Sequence, residues 1–387
     1  MSIFKKIALM ALSLSVIFSF SACADTSWAL KANGENINAG IYIYYTILAY
    51  NQAQSKLDAA ASANSSSSSS SSSAETTQTT AETKFFEAFI DGKDVKTWIK
   101  DTATESVEDF IAVEKKFDEL GLALSDEQKN AVNQALDYSW SQNSKFFEKN
   151  GIGKDSLKQI IRNNYKRDMV FDSYYAKGGS EEVSQDEINK YYNENNARVK
   201  YIAIQLKDGE GNLFKSADKA KAMEMAKDYQ SRATKENFDD LIKEYNDYYA
   251  KVVAEAKKDS SSSSSSSSES SSSSSSSETE EEKDPYANEH ILQKGGSVPS
   301  KDVCNEIFEK CKVGETTIIE DDEVYYVVQR LDLLERTDLL ESNYESILYE
   351  LKEDDFNQKM KEYAKTITFV KNEDAYNRYD PEKLKLD

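Results

Sequence analysis

VSQDEINKYYNENNARVKYIAIQL, residues 183–206, joins a short helix directly to a strand. Ser184 and Glu187 stand three apart as a capping box, the hydroxyl taking an orphan helix N–H while the carboxylate reaches back. Ile188, Tyr191 and Tyr192 fall at i, i+3 and i+4 and give the helix one apolar face. Asn193, Asn195 and Asn196 end it, because short amide side chains compete with the backbone for its hydrogen bonds. From Val199 to Leu206 the chain turns β-branched and aromatic and reads as a buried strand. The chain is helical before this point and mixed after it, so the stretch marks a handover between two domains.

Working outward, the pattern on the N-terminal side is nearly all α. Trp28 to Gly34 reads as a strand with a turn at Asn33-Gly34, and Ile37 to Ala53 as a tyrosine-rich helix. A helical pattern resumes at Thr83 and runs to Leu120 with a break near Asp91-Gly92. Ser125 and Gln128 form a second capping box, opening a helix that buries Val132, Leu136 and Trp140. Leu157, Ile160, Ile161 and Tyr165 mark the next helix, and Gly178-Gly179 closes the series. The aromatic faces of such a domain suit sequence-tolerant binding of unfolded chains, since apolar burial is non-directional.

On the C-terminal side the reading is β-α-α-β-α-β-β over 199–334. Helices are expected from Ser216 to Gln230, around Phe238–Tyr245 and over Val303–Cys311. Strands are expected around Tyr286–Leu292, at Thr316–Ile319 and at Glu323–Gln329. Asp338–Lys365 reads as one long helix, and 371–387 as a polar tail over the surface. Serine tracts at 65–73, 260–268 and 270–277 cannot bury a core and read as flexible insertions.

Composition bounds the function. The 387 residues suffice for two domains. A net charge of −21 repels phosphate backbones, and no basic patch interrupts it, so nucleic acid is excluded as a partner. Lys5 and Lys6 precede an apolar run from Ile7 to Phe20, which describes a signal peptide over 1–22. That run is shorter than the ~20 residues that span a bilayer, and no other segment is apolar enough to cross one. Ser21-Ala22-Cys23 resembles a bacterial lipobox, which implies that Cys23 is diacylated and tethers the chain to the outer face of the cell membrane. Cys304 and Cys311 lie seven residues apart, about 10 Å along a helix, too far for a disulfide. With one histidine and no further cysteine pair, no metal site is expected.

The sequence "VSxDEIxxYYxEN" running into a strand resembles the junction in extracytoplasmic foldases of the PrsA/SurA type. "FDDLIKEYN" (238–246) is similar to the "FAELAKKYS" of parvulin-type isomerase domains, and "EIFEKCKVGE" (306–315) to their "AAFKLKKGE". The resemblance implies an α+β chain: a mostly helical SurA/PrsA-like chaperone domain plus a parvulin-like domain of the FKBP-like superfold. The chaperone domain would take 24–196, with a Ser-rich loop at 62–80, and be completed by a C-terminal helix over 335–370. The parvulin-like domain would take 197–334, with a disordered insertion at 256–284, and 371–387 would form the tail.

Prolyl isomerisation needs neither nucleophile nor cofactor. It needs an apolar pocket that disfavours the planar amide, with donors placed for the twisted bond. Parvulins carry two histidines for this, in "SHIL" and "GYHII", with a Cys or Asp nearby. Here "KYIAIQL" puts Ala203 at the first position and "VYYVVQR" puts Tyr326 at the second, while Asp247 is the nearest acidic candidate. His290, the sole histidine, reads as a strand residue outside that pattern. Tyr201, Phe238, Ile307 and Phe308 are the candidates for an apolar peptide-binding groove. The expectation is a lipid-anchored foldase that binds unfolded secreted polypeptides, with weak or lost isomerase activity, no cofactor, and a homodimer left open. The alternative is a non-enzymatic holdase or scaffold lipoprotein. A solute-binding protein is disfavoured, since that class needs two α/β lobes around a cleft.

Overall fold

The computed structural model describes residues 27–65, 85–208, 211–260 and 284–386. Cys23, the leader and most of the serine-rich segments lie outside them. The chain is α+β and divides into two compact units, 1–182 with 352–387, and 183–351.

The first unit opens with β1 (Trp28–Ala32) and β2 (Glu35–Asn38), joined by a turn in which Asn33 and Gly34 both take positive φ. Helix α1 (Ala39–Ser65) follows. The break expected near Asp91-Gly92 is a tight hairpin, β3 (Phe89–Ile90) with β4 (Lys93–Asp94), before α2 (Val95–Glu119). Asp91 and Gly92 have φ of 52° and 79°, the left-handed pair that a two-residue hairpin turn demands. Asp94 then caps α2 by accepting from the Thr97 N–H at 2.9 Å. Helix α3 (Asp126–Asn150) carries the Ser125/Gln128 box and stops at Gly151, with φ 83°, and α4 (Lys154–Tyr175) packs beside it.

Aromatic side chains fill this core. Tyr42 and Tyr376 stack with centroids 4.3 Å apart, and Phe171 meets Phe356 edge-on at 5.3 Å. Most of the tyrosines of α1 are thus turned inward. The apolar side chains that remain largely exposed in this unit are scattered, Phe89 and Tyr138 most of all. The C-terminal residues also depart from a surface tail. β9 (Phe369–Lys371) pairs antiparallel with β1, and α10 (Glu373–Arg378), entered from it, buries Ala375 and Tyr376. A few apolar positions in a polar segment suffice, because Tyr376 alone supplies a large aromatic contact.

The second unit begins with α5 (Gln185–Asn195), whose Ser184/Glu187 box is formed, and runs directly into β5 (Asn196–Gln205). Then come α6 (Ser216–Arg232), α7 (Phe238–Ser260), β6 (His290–Gln293), α8 (Lys301–Lys310), β7 (Thr316–Glu320) and β8 (Val324–Leu331). The four strands form one antiparallel sheet in the order β6-β5-β8-β7. β5 is buried on both faces and alternates between them: Ile202 and Ile204 face α6 and α7, whereas Ala197, Val199, Tyr201 and Ala203 face α8. The long helix α9 (Thr337–Ala364) closes the unit; its residues from Lys352 on belong to the first. No helix among the described residues is long and apolar enough to cross a membrane.

Candidate functional site

The α8 face of the sheet gathers the groups of interest. Ala203 on β5 and Tyr326 on β8 are direct cross-strand partners. Both point to the α8 side, where Val303, Ile307 and Val328 form the floor of an apolar cluster. A methyl group at Ala203 beside a phenol at Tyr326 leaves Ala203 only half-buried. Tyr201, two residue pairs along on the same face, meets the Tyr326 ring edge-on with centroids 5.5 Å apart. On its other side Tyr201 stacks against His290 of β6 at 4.6 Å and 22°. Three aromatic rings therefore cross three strands on one face.

Burial sets the protonation of this row. Desolvation pushes the Tyr201 phenol up, and desolvation with nearby Asp321 does the same for Tyr326, so both keep their protons and remain donors. Desolvation lowers His290, which favours the neutral imidazole at neutral pH. Burial also raises the thiols of Cys304 and Cys311, and Cys304 Sγ–H donates to the Val298 carbonyl at 3.2 Å. Both are free, buried and poorly nucleophilic. Ser300 caps α8 by accepting from the Val303 N–H at 3.2 Å, and its hydroxyl lies 3.3 Å from Asp321. Those two bonds fix the entry of α8 over the sheet.

The remaining candidates are distributed. Ile307 and Phe308 belong to this face, Ile307 fully buried and Phe308 under the Arg330 guanidinium at 5.2 Å. Phe238 is fully buried on the opposite face among Ile202, Leu241 and Tyr229, so it is not brought together with them. Asp247 sits on α7, which packs against that same opposite face, with an exposed carboxylate paired to Lys243 at 2.9 Å. His290, read from the sequence as a strand residue outside the isomerase pattern, opens β6, and its alternation with Leu292 puts the imidazole on the α8 face. Among the described residues no group of three metal-ligating side chains occurs.

The sheet order β6-β5-β8-β7, reached through β-α-α-β-α-β-β and preceded by a mostly helical unit, completes an α+β chain. It is similar to the crystal structure of PrsA from Bacillus subtilis at 16% identity, covering 70% of this chain and 86% of that one, with a TM-score of 0.25. It is also similar to the foldase protein PrsA from Streptococcus pneumoniae str. Canada MDR_19A at 14% identity, covering 72% and 90%, with a TM-score of 0.32. No family model matches the chain, and no curated protein does.

Proposed function

We propose that the chain is an extracytoplasmic protein-folding factor, tethered by a lipid on Cys23, that binds unfolded secreted polypeptides and has weak or no prolyl isomerase activity. The observation that carries this reading is the pairing of Ala203 with Tyr326 on an apolar sheet face. Those are the two positions at which the resembled isomerases hold imidazoles. An apolar face flanked by phenols can still take an extended client segment. Tyr326 can donate one hydrogen bond to a twisted amide, but the second ring is absent and its place is open. The loss of one preorganised donor costs about 10²–10³ in rate, so turnover should fall well below that of an intact site.

The test is a pair of assays on the full chain: suppression of aggregation of a reduced, unfolded client, and cis/trans exchange in a proline peptide. Protection without appreciable exchange is the expected result. Exchange near that of an ordinary parvulin would overturn the degenerate site, and no protection would overturn the chaperone reading. The missing imidazoles also favour a second reading, a pure holdase, which predicts no exchange at all and no gain or loss on Tyr326→Phe. Mass spectrometry of membrane-extracted protein checks the anchor, for which an unmodified Cys23 is the refuting result.

A further inference from the structure

β6 is an outer strand: β5 flanks one side, and among the described residues no strand flanks the other. In an antiparallel ladder, alternate residues turn their main-chain groups toward the partner and away from it. The Lys294 N–H donates to the Asn195 carbonyl at 2.9 Å, and Asn196 and Arg198 stand opposite Gln293 and Ile291. Leu292 and His290 therefore bond to β5. Ile291 turns its N–H and C=O outward, and Gln293 turns its N–H outward. Among the described residues these three groups have no hydrogen-bond partner. A cavity of about 690 Å³ runs along this edge, bounded by the 296–298 turn on one side and by Leu339, Asn343 and Glu350 of α9 on the other. Its apolar contacts are unusually open, with Ile291 39% and Val298 72% exposed.

We propose that this edge is a docking site for an extended polypeptide segment in which apolar and basic residues alternate, added as a fifth strand beside β6. Unpaired main-chain groups on an edge strand are a template for such pairing, and side-chain surfaces at every second position select the sequence. Charge decides the kind of occupant. The cavity is lined by the Glu350 carboxylate and by no lysine or arginine, while Glu289, also on its wall, is already paired with Arg198 and Arg336. On a chain of net charge −21, that lining favours a basic segment and opposes a second copy of the same chain. The inference rests on the chaperone reading only for where the segment comes from; the pairing itself stands apart from it.

The experiment measures fluorescence anisotropy of a labelled octapeptide of alternating lysine and valine with the full chain. Methylating the peptide nitrogens on one edge removes its ladder donors without touching the protein, and affinity should fall about tenfold or more. Ile291→Pro, which deletes an outward N–H and is tolerated on an edge strand, should weaken binding similarly, whereas replacing the exposed Tyr138 of the first unit by alanine should not. Replacing lysine by glutamate in the peptide should abolish binding. Equal affinity of the methylated peptide overturns the proposal, as does loss of binding in Tyr138→Ala alone. A concentration-dependent dimer that Ile291→Pro dissolves, with no peptide binding, overturns it in favour of self-pairing. Client protection is scored separately. Peptide binding without protection upholds the edge site while refuting the chaperone reading, and protection unaffected by edge variants that do not bind peptide does the reverse.

Discussion

Replacing Glu289 by alanine removes the clamp that holds the start of β6. Arg198 and Glu289 have side chains only 7% and 5% exposed. Glu289 accepts from Arg198 Nη2 at 2.6 Å and Nε at 2.8 Å, and from Arg336 Nη1 at 3.3 Å. Deleting one partner of a buried pair costs about 3–5 kcal/mol, because the other charge stays buried without compensation. Arg198 keeps the Asp332 carbonyl at 2.8 Å and Glu335 at 3.1 Å. Glu335 is well exposed and compensates weakly. The cost should therefore fall at the lower end, about 3 kcal/mol. Native-state hydrogen exchange at the Leu292 and His290 amides reads it locally, as acceleration of about a hundredfold. The joint replacement Arg198→Met with Glu289→Leu should come out near neutral, since apolar isosteres escape the desolvation penalty. Acceleration below about fivefold in Glu289→Ala, or a double replacement as damaging as the single one, would refute the reasoning.

Three further outcomes are expected. Tyr376→Ala, which deletes the ring stacked on Tyr42, should destabilise the first unit by about 3–5 kcal/mol in urea unfolding, and Tyr376→Phe by about 1 kcal/mol through loss of the Thr104 hydroxyl contact at 3.1 Å. Gly92→Ala should cost about 1–2 kcal/mol from backbone strain alone, because φ is 79° and nothing lies within 4 Å of the added methyl. The single imidazole allows one clean NMR titration: His290 should titrate below the ordinary value. Its folded state then holds fewer protons than the unfolded one in the window between the two values, so its contribution to stability is intact above the unfolded value and lost as pH falls through that window. A midpoint at or above the ordinary value would show the ring to be solvated.

The helix-to-strand junction was legible because its signals are local. Ser184 with Glu187, and Ser125 with Gln128, both close as capping boxes, and the β-branched and aromatic run from Val199 forms the buried strand it was read as. The break at Asp91-Gly92 was legible, since Asp-Gly is a strong turn signal, but its two strands were not, because two-residue strands carry no periodicity. The buried role of Tyr376 escaped because the partners of α10 lie more than 250 residues earlier, in Tyr42 and Thr104. Within the site, cross-strand register puts Ala203 opposite Tyr326, a pairing that the local sequence around neither residue signals. Phe238 fell on the far face, since a residue opening α7 takes its side from the crossover and not from its own chemistry.

The pairing of β1 with β9 has a consequence for synthesis. Residues 28–32 find their sheet neighbour only at 369–371, so the unit that emerges first is the last that can close. The intervening 183–351 unit is contiguous and meets no such delay. Because closing a loop of this length costs entropy before the strand contact repays it, a ribosome stalled before Phe369 would leave a finished sheet domain attached to an unsealed helical one.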